Sequence, residues 1–250
     1  TFEGADFAIT PAPLTVTADD ASRAYGSANP ALTATLSGFV NGETAATAGV
    51  TGTAAASTAA TVASGAGTYA ITSGAGSLRA PNYAFVHFVD GTLTVSKAVL
   101  TVTADDQSRG YGSANPAFTS AVAGFVNGDT LDSATTGEPV LATTADDASA
   151  IGPYPISIDP GTLAADNYTF AFVPGTLTVT PAVLTVTADD QSRVYGDANP
   201  LLTCTVTGFL GHDTAAVLTG TPLLATSATV TSPADTYTIT VDVSGLSTPN

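Results

Sequence analysis

The sequence reads as a mostly β protein, built from small β modules in tandem and arranged as an extended string. Three observations predict this. Val, Thr, Ala, Ser and Gly dominate, while charged residues are only 10%, against roughly 25% in an ordinary globular domain. Apolar and polar residues alternate with a period of two in short runs bounded by turn residues, as in half-buried strands. The same series of landmarks also returns three times. Leu14–Asp20 (LTVTADD) recurs at Leu100–Asp106, 86 residues on, and at Leu184–Asp190, a further 84 residues on. A fixed period of this kind marks a repeat architecture.

Each repeat opens on a strand in which Leu14, Val16 and Ala18 alternate with Thr15 and Thr17. Ser22-Arg23-x-Tyr25-Gly26 and Ala28-Asn29-Pro30 follow, matched by Ser108–Gly112 with Ala114–Pro116, and by Ser192–Gly196 with Ala198–Pro200. The Tyr-Gly and Asn-Pro pairs mark turns. Leu32–Leu36 alternates again and leads into Gly38-Phe39, repeated at Gly124-Phe125 and Gly208-Phe209. Val40-Asn41-Gly42-Glu43 is a tight turn by Asn-Gly chemistry. Thr44–Ala60 is rich in Ala and Thr and poorly patterned. Its third copy holds Ala215–Leu218, which suits one short helical turn. Thr68–Thr72 and Thr92–Val95 are the later strands, and Asn82-Tyr83 precedes the last of them.

The ends are out of phase with this pattern. Repeats 1 and 2 finish on Phe88–Val95 (FVDGTLTV) and Phe172–Val179 (FVPGTLTV), whereas the third repeat reaches only its Asn, Asn250. At the other end, Ile9-Thr10-Pro11 lines up with Val179-Thr180-Pro181. The expected division is residues 1–11 as the terminal strand of a preceding repeat, 12–97 as repeat 1, 98–181 as repeat 2, and 182–250 as repeat 3 lacking its final strand. Only Ser96-Lys97-Ala98 and Thr180-Pro181-Ala182 separate successive strand patterns. Junctions this short restrict the angle between modules, and proline stiffens them by fixing φ.

The charge excludes several classes of function. With 21 acids against five bases, a net charge of -16 and a pI near 4.1, the chain has no surface for neutralising phosphates, so no nucleic-acid partner is expected. Anionic membrane surfaces are disfavoured for the same reason. No apolar run approaches the roughly 18 residues of a membrane helix. The single Cys makes no internal disulfide, and 44% hydrophobic residues argue against disorder.

The order LTVTADD-x-SR-x-YG-x-ANP, then GF-VNG-D/E-T, then NY-x-F-x-FV-x-GTLTV, resembles the MBG-type ("YGX") repeats of large bacterial surface adhesins. The resemblance covers nearly the whole chain in three copies. It implies an extracellular stalk module at the bacterial cell surface, related to those of haemagglutinin-like proteins. An immunoglobulin-like sandwich and a β-grasp-like sheet both fit, and the family supplies no catalytic residues to carry over.

The residues themselves offer little reactive chemistry, and no enzyme is expected. A glycosidase needs two carboxyls facing each other across a sugar, but Asp19-Asp20, Asp105-Asp106 and Asp189-Asp190 are neighbours at strand ends, where adjacent side chains point to opposite faces. They read as turn residues that pair with Arg23, Arg109 and Arg193 or cap backbone N–H groups. No cofactor is expected. Calcium is the one cation the charge suits, as a weak possibility, since no D-x-D-x-D-G loop is present. His87 and His212 occupy unrelated repeat positions and make no zinc or catalytic set. Cys204 replaces Ala34 and Ser120 of the other copies and reads as a small, half-buried strand residue. Lys97 stands where Pro11 and Pro181 stand elsewhere, which disfavours a structural isopeptide role. Tyr25, Tyr111 and Tyr195 read as turn tyrosines, with the ring on the sheet and the hydroxyl on backbone.

The function expected from this is structural, as an extracellular stalk or filament segment whose partners are neighbouring copies or repeats of the same protein, head-to-tail. A sharper version has residues 1–10 complete repeat 3 of another copy by strand addition; the competing reading is a window on a longer array, in which the next covalent segment supplies that strand. In the sharper version Phe2, Phe7 and Ile9 lie on the donor side, with Tyr237 and Asn250 on the accepting repeat. The alternative is an adhesive module binding a glycan or host protein through the variable segments 44–65, 130–152 and 214–235. Those segments are poor in the Trp, Tyr and Arg that dominate binding energy.

Overall fold

The computed structural model describes residues 3–250 and is mostly β throughout, as small tandem sheets. Repeat 1 contains β1 (Ala12–Ala18), β2 (Ala21–Ala24), β3 (Ala34–Ser37), β4 (Ala55–Ser57), β5 (Gly67–Gly74), β6 (Tyr83–Val89) and β7 (Gly91–Ser96). They form two sheets, a three-stranded one in the order β3-β1-β6 and a four-stranded one in the order β2-β7-β5-β4. β1 is antiparallel to β3 and parallel to β6, while β7 is parallel to β2 and antiparallel to β5. The alternation read from the sequence is realised, since Leu14, Val16 and Ala18 are buried, as are Gly91, Leu93 and Val95 of β7.

Repeat 2 follows the same plan. It has β8 (Ala98–Ala104), β9 (Gln107–Gly110), β10 (Ser120–Ala123), one helical turn α1 (Leu131–Ala134), β11 (Val140–Thr143), β12 (Gly152–Asp159), β13 (Tyr168–Val173) and β14 (Gly175–Thr180). Its sheets run β10-β8-β13 and β11-β12-β14-β9. Repeat 3 has β15 (Thr185–Ala188), β16 (Cys204–Thr207), a 3-10 turn at Ala215–Val217, β17 (Leu223–Thr226) and β18 (Ile239–Asp242), in two sheets of two strands each. The short turn at Ala215 is the one its composition suggests. Among the described residues, repeat 3 has no counterpart of β6 or of β7. The segment matching β2 is not a strand there either, so repeat 3 has four strands where repeat 1 has seven. FVDGTLTV reads as one strand, but at Asp90-Gly91 the chain leaves one sheet and enters the other.

That switch explains Gly91 and the Asp pairs. A Cβ at Gly91 would lie 2.5 Å from the carbonyl oxygen of Ala18, so only glycine fits where the chain crosses. The Thr92 N–H donates to Asp20 Oδ1 at 2.7 Å, and Thr176 N–H donates to Asp106 at the same distance, so the second Asp of the first two pairs caps the incoming strand. The first Asp takes a threonine hydroxyl, from Thr33, Thr119 and Thr205 in turn. The expected pairing of these acids with Arg23, Arg109 and Arg193 is replaced by a different clamp. Arg23 Nε donates to Asn29 Oδ1 (2.7 Å) and its Nη2 to the Thr61 carbonyl (2.5 Å), and Asn29 holds the Ala60 carbonyl (2.7 Å). Arg109–Asn115 repeats the arrangement on the Asp146 and Ala145 carbonyls, and Arg193–Asn199 on those of Thr229 and Ala228. Each clamp ties the Tyr-Gly segment to a loop about 30 to 40 residues further along the chain. The guanidinium geometry, five donors in a rigid fork, suits carbonyl acceptors spread in one plane.

The chain divides into two compact units that do not coincide with the repeats. One holds residues up to Val102 together with Val122–Pro139 and Pro160–Ala171. The other holds Thr103–Ala121, Val140–Asp159 and Phe172–Asn250. The first unit holds all of repeat 1 with parts of repeat 2, and the second holds the rest of repeat 2 with repeat 3.

Candidate functional site

Within the first unit, the tip of repeat 1 packs on the turn of repeat 2. Asn41 and Asn127 both have φ of 57°, followed by Gly42 at 72° and Gly128 at 78°, the positive pair that a type I′ turn requires. The turn around Asn127 is braced from within its own repeat, because Val126 N–H donates to the Tyr168 hydroxyl (3.0 Å) and that hydroxyl donates to Asp129 Oδ2 (2.7 Å). The same Asp129 oxygen accepts the hydroxyl of Tyr25, from the preceding repeat, at 3.0 Å. The rings of Tyr25 and Tyr168 meet edge to face at 5.5 Å, and Phe125 meets Tyr168 at 5.9 Å. Tyr25 is therefore buried as expected, but its hydroxyl goes to a carboxylate of the next repeat and not to its own backbone.

Glycine follows that tyrosine for a steric reason. Gly26 has φ of +80°, and a Cβ there would stand 2.4 Å from Val126 Cγ2. Asn127 Nδ2 adds a bond to the Val62 carbonyl (3.2 Å), Asn167 Oδ1 accepts from Ala66 N–H (2.9 Å), and Lys97 Nζ donates to the Ala165 carbonyl (2.9 Å). The apolar core runs through the junction, since Leu93, Val95 and Ile71 of repeat 1 share one cluster with Leu100 and Tyr168 of repeat 2.

The second unit shares part of this contact. Tyr111 is buried near Asp213, and a Cβ at Gly112 would lie 2.5 Å from Leu210 Cβ. Burial together with Asp213 raises the Tyr111 pKa above the ordinary 10.0. Tyr168 is raised chiefly by burial, and Tyr83 chiefly by its hydrogen bond to Glu43 and then by burial. The folded state thus holds these protons more tightly than the unfolded chain does. Their contribution to stability is complete below the ordinary tyrosine pKa and falls as pH rises from there through the higher folded values. Melting temperature is therefore expected to stay level from pH 7 to 9 and to drop above about pH 10, with a late component in the tyrosinate absorbance titration. A single transition at the ordinary tyrosine value with no loss of melting temperature contradicts this.

Repeat 3 is open where its partners are closed. Tyr25 is 6% exposed and Tyr111 5%, but Tyr195 is 67% exposed. The segment equivalent to β2, around Arg193, is not a strand here. A groove of about 650 Å³ runs between it and β18, lined by Asp189, Arg193, Tyr195, Asn199, Tyr237 and Ile239. A second, of about 580 Å³, is lined by Leu184, Val186, Val206, Val241, Val243 and Leu246.

Of the residues singled out for assembly, Tyr237 lines the first groove and donates its hydroxyl to the Pro233 carbonyl (3.2 Å). Asn250 stands beside Asp213, its Nδ2 at 3.5 Å from Oδ2. Phe7 and Ile9 are 89% and 86% exposed, and residues 3–10 form no strand in this chain. Phe2 lies outside the described residues. Counting back from Leu14 and Leu100, Phe7 and Ile9 fall on Leu93 and Val95, both buried in β7, while Ala5 falls on Gly91.

The sequence reading passed over Asp129, Tyr168 and the Arg–Asn clamps as site residues. The recurrence of an acid after each turn at 43, 129 and 213 was the available signal. Among the described residues, no group of three or more His, Cys, Asp or Glu side chains is placed to hold a metal ion. His87 is exposed on β6 and Cys204 half-buried on β16. No helix among the described residues is long and apolar enough to cross a membrane.

No curated protein and no solved structure matches the chain. The MBG domain (YGX type) family matches three times, at residues 14–94, 100–178 and 184–250. These matches cover most of the sequence and fall on the same three copies that carry the tyrosine junctions, so the chain belongs to the MBG domain (YGX type) family.

Proposed function

We propose that this chain is a structural segment of an extracellular stalk or filament at the bacterial cell surface, and that its third repeat is completed by an added strand of the β7 pattern. The observation that carries the reading is the coincidence of an open groove in repeat 3 with an exposed segment of the matching pattern. Phe7 and Ile9 occupy the positions of Leu93 and Val95, and their side chains are almost wholly exposed. Strand addition satisfies unpaired ladder groups and fills alternate side-chain pockets at once. A donor and an acceptor in one chain, used between copies, make a head-to-tail contact that need not close on itself. Membership of a family of surface-protein repeats, high net charge and continuous packing across the first junction support the structural reading. Ala5, standing where Gly91 must be glycine, limits the match to residues 6–10.

Light scattering and negative-stain microscopy of the 250-residue chain test this, beside the double variant Phe7→Asp/Ile9→Asp. The wild type is expected to form thin filaments and the variant to stay monomeric, with an unchanged circular dichroism spectrum since both side chains are exposed. Rod-like monomers for both proteins at every concentration remove the intermolecular strand.

A further inference from the structure

We infer that the turn face of repeat 1, formed by Val40, Asn41, Glu43 and Tyr83, is a docking face for the Tyr195-Gly196 tip of a second copy of this chain. This rests on the head-to-tail reading above and names a contact separate from the donated strand.

The argument is continuity with the contact at the first junction, which the second shares in its buried tyrosine and covered glycine. At the first junction a Tyr-Gly tip meets a type I′ turn and gives its hydroxyl to the acid that follows the turn, Asp129. At the second, Tyr111 is buried near Asp213 and Leu210 covers Gly112, on a turn where Gly211 has positive φ and His212 does not. Repeat 1 presents the same turn fully formed. Glu43 N–H donates to the Val40 carbonyl (3.1 Å), Val40 N–H to the Tyr83 hydroxyl (3.2 Å), and Tyr83 donates to Glu43 Oε2 at 2.5 Å. Phe39 packs edge to face on Tyr83 at 5.5 Å, as Phe125 does on Tyr168. Among the described residues, the Glu43 carboxylate takes one tyrosine hydroxyl where Asp129 takes two. Val40, the counterpart of Val126 that covers Gly26, is 47% exposed.

The complementary half is repeat 3. Tyr195 is exposed, and Gly196 has φ of +94° with no atom near the place a Cβ would take, whereas Gly26 and Gly112 are covered by Val126 and Leu210. The loop beside the tip is already set by Arg193 and Asn199, which hold the Thr229 and Ala228 carbonyls. At the first junction the equivalent loop gives its Val62 carbonyl to Asn127. In the proposed contact Val230 takes that part toward Asn41. Both faces are therefore formed before they meet, which lowers the ordering cost of association. One coupling to the strand follows from the internal junctions. Tyr25 N–H is held by the Ser96 carbonyl and Tyr111 N–H by that of Thr180, and Thr10 is the residue in register with Ser96.

Sedimentation equilibrium of the 250-residue chain tests the assignment with Tyr195→Phe, which removes one exposed hydroxyl and keeps the ring, and with Glu43→Gln. Each is expected to weaken head-to-tail association about tenfold, the scale of one hydrogen bond to a charged group. The double variant is expected to be little weaker than either single one, since the two atoms form one bond. Tyr154→Phe, whose hydroxyl serves the Ala150 carbonyl of its own repeat, is expected to change nothing. If Phe7→Asp/Ile9→Asp abolishes association while Tyr195→Phe and Glu43→Gln leave it intact, the strand reading stands and this docking face falls. If the tyrosine and glutamate variants weaken association and the Phe7/Ile9 variant does not, the docking face stands without the strand. A chain that is monomeric throughout overturns both.

Discussion

Tyr168→Ala is expected to loosen repeat 1 from repeat 2 at a cost of about 3–5 kcal/mol, the range for emptying a buried aromatic site. The ring is 1% exposed and shares its cluster with Tyr25, Leu93 and Leu100, so the cavity opens at the junction itself. Two edge-to-face contacts disappear with it, as does the hydroxyl that braces the turn at Val126. Tyr168→Phe separates these contributions. It keeps the rings and leaves Asp129 with one hydroxyl, and should cost about 1–2 kcal/mol. Urea unfolding with hydrogen exchange is the suitable measurement, because an array of repeats need not unfold in one step. The expected pattern is early exchange at residues 122–139 and 160–171 together with the strands of repeat 1 they pack on. An unchanged unfolding curve for Tyr168→Ala removes the claim that this cluster joins the repeats.

Arg109→Ala is expected to cost about 3 kcal/mol, and Arg193→Ala under about 1 kcal/mol, although both arginines sit in the same motif and hold the same kind of partners. Arg109 is buried, and its loss strands Asn115 Oδ1 and the Asp146 carbonyl away from water. An unsatisfied buried polar group costs about 1–3 kcal/mol, and the aliphatic stem adds packing. Arg193 lies beside an open groove, where water replaces its bonds to Asn199 and Thr229. Paired urea titrations of the two single variants give the comparison directly. Equal costs show that burial by the β14-type strand does not set the worth of the clamp.

The parts of the fold legible in the sequence are those fixed over a few residues. The alternation of Leu14, Val16 and Ala18, the Asn41-Gly42 turn and the single helical turn near Ala215 each follow from local chemistry, and each appears where its residues place it. The sheet switch at Asp90-Gly91 was only half legible: the Asp-Gly pair marks a break in the strand, but only the close approach to Ala18 shows that the chain crosses to the other sheet there. The arginine partners were hidden for a similar reason. Asp20 lies three residues from Arg23, and proximity in sequence favours it, yet the strand carries the Asp toward Thr92 while Asn29 and the carbonyls of residues 60 and 61 enclose the guanidinium. The junction was least legible of all. Tyr25 and Asp129 are 104 residues apart, and their pairing belongs to the packing of one repeat on the next. Only the regular recurrence of an acid after each turn hinted at it.

The parallel pairing of β1 with β6 and of β2 with β7 has a mechanical consequence. In repeat 1, β1 and β2 form one continuous run from Ala12 to Ala24, broken only at Asp19-Asp20, and β6 and β7 form another from Tyr83 to Ser96 lying alongside it in the same direction. Tension entering the repeat at Ala12 and leaving at Ser96 therefore pulls the two runs lengthwise past each other. The ladder bonds along both sheets carry that load together and must fail together, whereas an antiparallel hairpin pulled from its open end gives way one bond at a time. A module joined to its neighbours through these two ends is thus loaded in shear, the direction in which its hydrogen bonds are collectively strongest.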